Sequence, residues 1–165
     1  MHRGEGAALR WDDVDFRLGA IRVPAKRTMA GRKLDLPMSD LVRNILVARQ
    51  AIGRDATGFV FPANSRSGYV EEPKFALGLV AEATGIRVTV HDLRRTFITI
   101  AESTDIATLA LKALVNHSYG DDVTAGYIVG AVERLRGPAQ KVADRFKELC
   151  SIEASEVERL TPASS

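Results

Sequence analysis

The 165-residue chain has one cysteine, three histidines, one tryptophan and 6% aromatic residues. Cys150 alone excludes an intrachain disulfide, and no Cys/His cluster has the spacing of a zinc site. No apolar run approaches the roughly 20 residues that a membrane-spanning helix needs. The opening MHRGEGAALRW lacks the apolar core of a secretory signal. These scarcities fit a reducing, intracellular setting. A large excess of one charge is also missing, since 23 Lys+Arg face 21 Asp+Glu for a net +2. There is no internal repeat and no low-complexity block to suggest a solenoid or a disordered linker.

What is present is 45% hydrophobic residues, enough for one compact domain. The small positive balance is uneven. Residues 1–50 carry ten Lys+Arg and six Asp+Glu, a surplus of four, whereas the last fifteen residues, SIEASEVERLTPASS, are acidic and rich in small side chains. A basic early half suits a phosphate-bearing partner, although on charge alone a solvated surface is the better explanation.

Periodicity predicts a helix-rich α+β fold with a small antiparallel sheet near the N-terminus. GEGAALRWDDVDF reads as the end of a helix running into a turn. In LGAIRVPAKRTMAGRKLDLPMS, Ile21 and Val23 alternate with polar neighbours and Leu34 and Leu36 alternate on the return, giving strand, turn, strand. Ser39 and Asp40 can cap a helix over DLVRNILVARQAIG, with Leu41, Ile45 and Leu46 at helical spacing and Gly53 as its stop. KFALGLVAEATG predicts a helix ended by Gly85. HDLRRTFITIAEST predicts another, and Asp105 a cap for the next, IATLALKALVNH. A further helix carries Tyr127. Residues 131–150 read as helical but interrupted at Gly137-Pro138. Their Val142, Phe146 and Leu149 share a face that packs on the core or docks a neighbour.

The run HDLRRT places His91 three residues before Arg94, so on a helix both side chains share a face. A guanidinium is planar, permanently charged and able to hold two phosphoryl oxygens at once. Arg94 is therefore the candidate clamp for a phosphodiester. His91 beside it can move a proton, and His117 can add a second donor. Tyr127 supplies a phenol able to attack phosphorus, provided that nearby cations stabilise a phenolate whose ordinary pKa is about 10. The chemistry so described cuts and rejoins DNA without metal or nucleotide cofactor. Taken singly, each residue has a plainer reading: a capped helix start, a helix C-terminal histidine, a core tyrosine. The ordered set is much more specific than its members. Arg95 reads as a surface or DNA-backbone residue.

These motifs, HDLRRTF, LVNHS and VTAGYI in that order, resemble the catalytic core of the tyrosine recombinases, the phage-integrase family. EGAALRWDDVDF resembles the family's first box, GRKLDLPMSD its hairpin and following turn, and GFVFP and ATGIRVTVHDLRRTF segments of prophage integrases. The resemblance implies a catalytic domain over 1–150, lacking its first helices, and a flexible tail over 151–165. It implies that Tyr127 forms a 3′-phosphotyrosyl link and frees a 5′-hydroxyl, with Arg94 on the phosphate, His91 in proton transfer and His117 hydrogen-bonded to the phosphate. Double-stranded DNA is the implied partner, with self-association on DNA through the segment after Tyr127, no membrane, and a bacterial cytoplasm, at the nucleoid, as the location.

Two positions depart from the family pattern. Counting back from Trp11, Leu9 and Glu5 fall in place, and the family's first active-site arginine falls on His2, with Arg3 its neighbour. Counting back from Pro37, the family lysine falls on Met29, with Lys26, Arg27, Arg32 and Lys33 nearby, one of which a shifted hairpin register could present instead; Lys26, Arg32, Lys33 and Arg95 are the DNA-contacting candidates. Cleavage that is weak or absent is the expected consequence. A non-catalytic DNA-binding relic of the same fold and a type IB topoisomerase-like nicking-closing enzyme stay open as alternatives.

Overall fold

A computed structural model of the chain describes residues 3–27, 33–53, 58–115 and 132–150. A short helix α1 (Arg3–Ala7) leads through a 3-10 turn (Trp11–Asp13) into three strands, β1 (Val14–Asp15), β2 (Ala20–Val23) and β3 (Leu34–Pro37). The strands pair antiparallel in the order β1-β2-β3, with Val14 opposite Ile21 and Ile21 opposite Leu36. Helices α2 (Asp40–Ala51), α3 (Lys74–Thr84), α4 (Val90–Glu102), α5 (Thr108–Leu114) and α6 (Val132–Leu149) follow. The architecture is the helix-rich α+β fold that the periodicity predicts, with its sheet near the N-terminus.

The alternation in β2 is visible as burial: Ala20, Ile21 and Val23 are buried and Arg22 is exposed. With Leu9, Trp11, Met38, Leu46 and Val60 they form one core, against which Val14, Phe16 and Leu36 pack. Turning from β1 to β2 needs a left-handed residue, and Gly19 supplies it at φ 59°. Ser39 caps α2 as expected, its hydroxyl accepting from the Val42 amide at 3.4 Å. Ile45 does not join the core; it stays 47% exposed while Leu46, one position on, is buried.

A second buried group, Ala101, Leu114, Val115, Leu135, Val142 and Ala143, lies on and around α4, α5 and α6. The predicted interruption at Gly137-Pro138 does not occur, and α6 runs through Pro138 unbroken. Tertiary contacts on both sides outweigh the lost amide. Arg136 donates to the carbonyls of Leu18 and Gly19 at 3.0 and 3.2 Å. Beyond the proline, Gln140 accepts from the Asp40 amide at 3.0 Å and Lys147 pairs with Asp40 at 2.7 Å. Phe146 stacks on Phe97 of α4, with ring centroids 6.2 Å apart. Asp105 is also not a cap. Ala107 occupies that position in α5 without a side-chain bond, and the Asp105 carbonyl instead accepts from Lys141 at 3.1 Å. The third strand, β1, is an addition that two residues of sequence do not announce.

Candidate functional site

The candidate site is built on the start of α4. Thr89 takes an extended conformation, and its hydroxyl accepts from the Asp92 amide at 3.2 Å. Asp92 reciprocates, accepting from the Thr89 amide at 2.9 Å and from the Thr89 hydroxyl at 2.6 Å. This capping box satisfies two end groups of the helix and fixes where its first turn begins. The hydrogen bonds from the Thr89 hydroxyl and amide hold the Asp92 carboxyl below its ordinary value of 3.8. Sequence reasoning passed over Thr89, although the Thr-x-x-Asp pattern was there to be read.

The capped turn presents His91 and Arg95 on the exposed surface and draws Arg94 partly inward. The Arg94 guanidinium donates through Nη2 to the carbonyl of Val115, at 2.7 Å. Val115 closes α5 and is itself buried. The last turn of a helix concentrates unsatisfied carbonyls and partial negative charge, so a cation is well placed there. The bond brings residues 94 and 115, 21 positions apart, into one corner of the molecule. It also fixes the guanidinium at one nitrogen rather than leaving it to swing on a free side chain. A backbone carbonyl has no signature in the sequence, which is why Val115 was not anticipated.

His117 and Tyr127 lie outside the described residues, as do His2, Met29 and Arg32. Lys26 is exposed in a 3-10 turn, Ala25–Arg27, beyond β2. Lys33 is 61% exposed and paired with Asp35 at 2.8 Å. Lys26 and Lys33 thus flank the hairpin, while Arg94 and Arg95 sit on α4. Arg3, the neighbour of position 2, is committed on the surface to Glu72, at 2.6 Å. Glu5, Leu9 and Trp11 are all buried, and Leu9 and Trp11 belong to the hydrophobic core. Among the described residues no group of three or more His, Cys, Asp or Glu could hold a metal ion. Among them, too, no helix is long and apolar enough to cross a membrane.

Motif order, helix-rich fold and an anchored arginine at the head of α4 point together to the phage integrases. The chain is similar to prophage integrase IntF of Escherichia coli strain K12, with 34% identity over 121 residues. That match takes in 70% of this chain but 25% of the relative, so the chain spans about a quarter of the length of the curated protein it matches. The likeness supports the phage-integrase family, and no protein-family model matches.

Proposed function

We propose that residues 1–150 form the catalytic portion of a site-specific tyrosine recombinase, followed by a tail over 151–165. Double-stranded DNA is its substrate, and a 3′-phosphotyrosyl link through Tyr127 is its intermediate. The observation that carries the reading is the Arg94–Val115 bond, 2.7 Å long. It ties the HDLRR motif to the residue two positions before His117, in a chain that shares 34% identity with a prophage integrase.

In this reading Arg94 clamps the non-bridging oxygens while the tyrosine attacks, and the developing charge on phosphorus is neutralised by a guanidinium already held in place. His91 moves a proton, and His117 adds a hydrogen bond to the phosphate. The phosphotyrosine conserves the energy of the broken bond, so a 5′-hydroxyl from another strand can reverse the step without a nucleotide. Lys26, Arg32, Lys33 and Arg95 contact the DNA backbone.

The reading includes a handicap. His2 lacks the guanidinium fork of the family arginine, and Met29 cannot donate a proton. One lost charge-stabilising donor typically costs about a hundred- to a thousand-fold in rate. A lost general acid costs roughly a hundred- to ten-thousand-fold more. A nicked suicide duplex that traps the covalent adduct tests both parts. The wild-type chain should accumulate adduct slowly, the His2→Arg/Met29→Lys double variant faster, and Tyr127→Phe not at all. Rapid wild-type trapping would remove the handicap. No adduct even in the double variant would leave a DNA-binding relic.

A further inference from the structure

The hairpin of β2 and β3 carries three charged side chains on one side. Ile21 and Val23 are buried in the core, so Arg22 between them is turned away from it and exposed. The register sets Asp35 directly opposite Arg22. Lys33 stands two positions before Asp35, so along the extended strand it lies on that same side. The carboxylate is paired along its own strand rather than across the ladder, with Lys33 Nζ 2.8 Å from Asp35 Oδ2. Among the described residues Arg22 makes no hydrogen bond or ion pair.

The Lys33–Asp35 pair is lopsided. Lys33 is 61% exposed, while the Asp35 side chain is 15% exposed. The second carboxylate oxygen, Oδ1, is buried and accepts no hydrogen bond among the described residues. Native structures leave few buried polar atoms unsatisfied, and each such atom has a reason. An exposed ammonium exchanges partners readily, because an ion pair in solvent adds little. A largely covered carboxylate differs, since losing its one partner leaves it unpaired at a penalty larger than the pair contributes. Any anion that draws Lys33 away must therefore be matched by a new donor for Asp35. Residues facing each other on antiparallel strands have Cβ atoms about 5 Å apart. A guanidinium at that distance can hold both oxygens of a carboxylate at once. Arg22 occupies that position.

From this arrangement we propose that Asp35 is a positioning residue for Lys33, with Arg22 as its second partner. In the free chain Asp35 holds the Lys33 ammonium. When a backbone phosphate of duplex DNA takes that ammonium, the carboxylate passes to Arg22, which satisfies Oδ1 as well. The proposal rests on the reading of Lys33 as a DNA-backbone contact, and it adds a threshold to that contact, because Lys33 reaches phosphate only by leaving Asp35. Arg22 acts through Asp35 and does not touch the DNA.

Fluorescence anisotropy with an unrelated duplex at fixed salt reads this exchange, and no strand need be cut, so the outcome is independent of the catalytic step. Neither change below empties the core, since Arg22 is exposed and Asn matches Asp in shape. Asp35→Asn frees Lys33, so binding should tighten by about threefold, the scale on which exposed ion pairs act. In a Lys33→Ala background the same change should do little. Arg22→Ala should weaken binding by about threefold or more in the otherwise wild-type chain, by leaving the carboxylate unpaired once Lys33 departs. In the Asp35→Asn background it should do little, because no carboxylate then needs a partner. An arginine that itself touched phosphate would cost the same affinity in both backgrounds. An Asp35→Asn change without a gain, a gain undiminished by Lys33→Ala, or an Arg22→Ala loss of equal size in both backgrounds would each overturn the proposal while leaving DNA binding in place. A wild-type chain that binds no duplex would overturn the DNA reading itself, and the proposal with it.

Discussion

At the scale of single residues, the head of α4 depends on Thr89 and Asp92 satisfying each other. Thr89→Ala removes the hydroxyl that both accepts from the Asp92 amide and donates to its carboxylate. The expected cost is about 1 kcal/mol, typical of a lost N-cap, and a fall of about 2–4 °C in Tm measured by circular dichroism. Asp92 also sets an acid limit. Its hydrogen bonds from Thr89 depress the folded pKa below 3.8, so their stabilisation is fully present above that value and lost as pH falls through the lower, folded one. Asp40 falls in the same window, since the hydrogen bonds and charge of Lys147, with Gln140 and the Leu41 amide, outweigh the opposing effect of its burial. Urea midpoints should therefore hold steady from pH 6 down to about pH 4 as far as these groups govern them, then drop. Asp92→Asn should blunt the drop, and an unchanged drop would assign it elsewhere. Spacing placed His91 and Arg94 on one helix, and both lie on α4. The carbonyl that anchors Arg94 was not readable, because every residue carries one and only tertiary folding chooses among them.

Among the elements, α6 illustrates where local rules yield to packing. A proline seven residues into a helix removes an amide and crowds the carbonyl one turn back, and read locally it predicts a break. The helix persists because Leu135 and Arg136 are held before it and Val142 and Phe146 after it. Val142 is 1% exposed and Leu149 53%. Val142→Ala should cost about 2 kcal/mol in urea unfolding, as a small cavity would, while Leu149→Ala should stay within about 0.5 kcal/mol. Equal losses would contradict the placement of α6. The strands β2 and β3 were legible because Ile21, Val23 and Leu36 alternate with polar residues. Strand β1 was not, because Val14–Asp15 is too short to show a period. Asp105 had the right residue type for a cap but the wrong position, since the chain turns on through Ile106 before α5 begins.

For the whole molecule, a net charge of +2 leaves little general attraction for a polyanion, so the DNA contact proposed above would rest on few side chains. If about three phosphates are neutralised, affinity should fall roughly 40-fold between 50 and 200 mM salt. Fluorescence anisotropy on an unrelated duplex would measure this slope. Lys26→Ala and Arg95→Ala should each lower it by about one counterion, and a slope untouched by either would move the DNA to another face. Fold class was accessible at this scale because the periods of helix and strand follow one another clearly along the chain. How the ends meet was not. Asp40 bonds to Gln140 across 100 positions, and Arg136 reaches Leu18 across 118. The strands and α2 are thus completed by a helix that is synthesised about 100 positions later. During synthesis β1–β3 and α2 must wait, open on one side, until α6 arrives. Chaperone demand should accordingly concentrate before α6 emerges, and a stalled nascent chain ending before residue 132 should be cut readily by protease where the released protein resists.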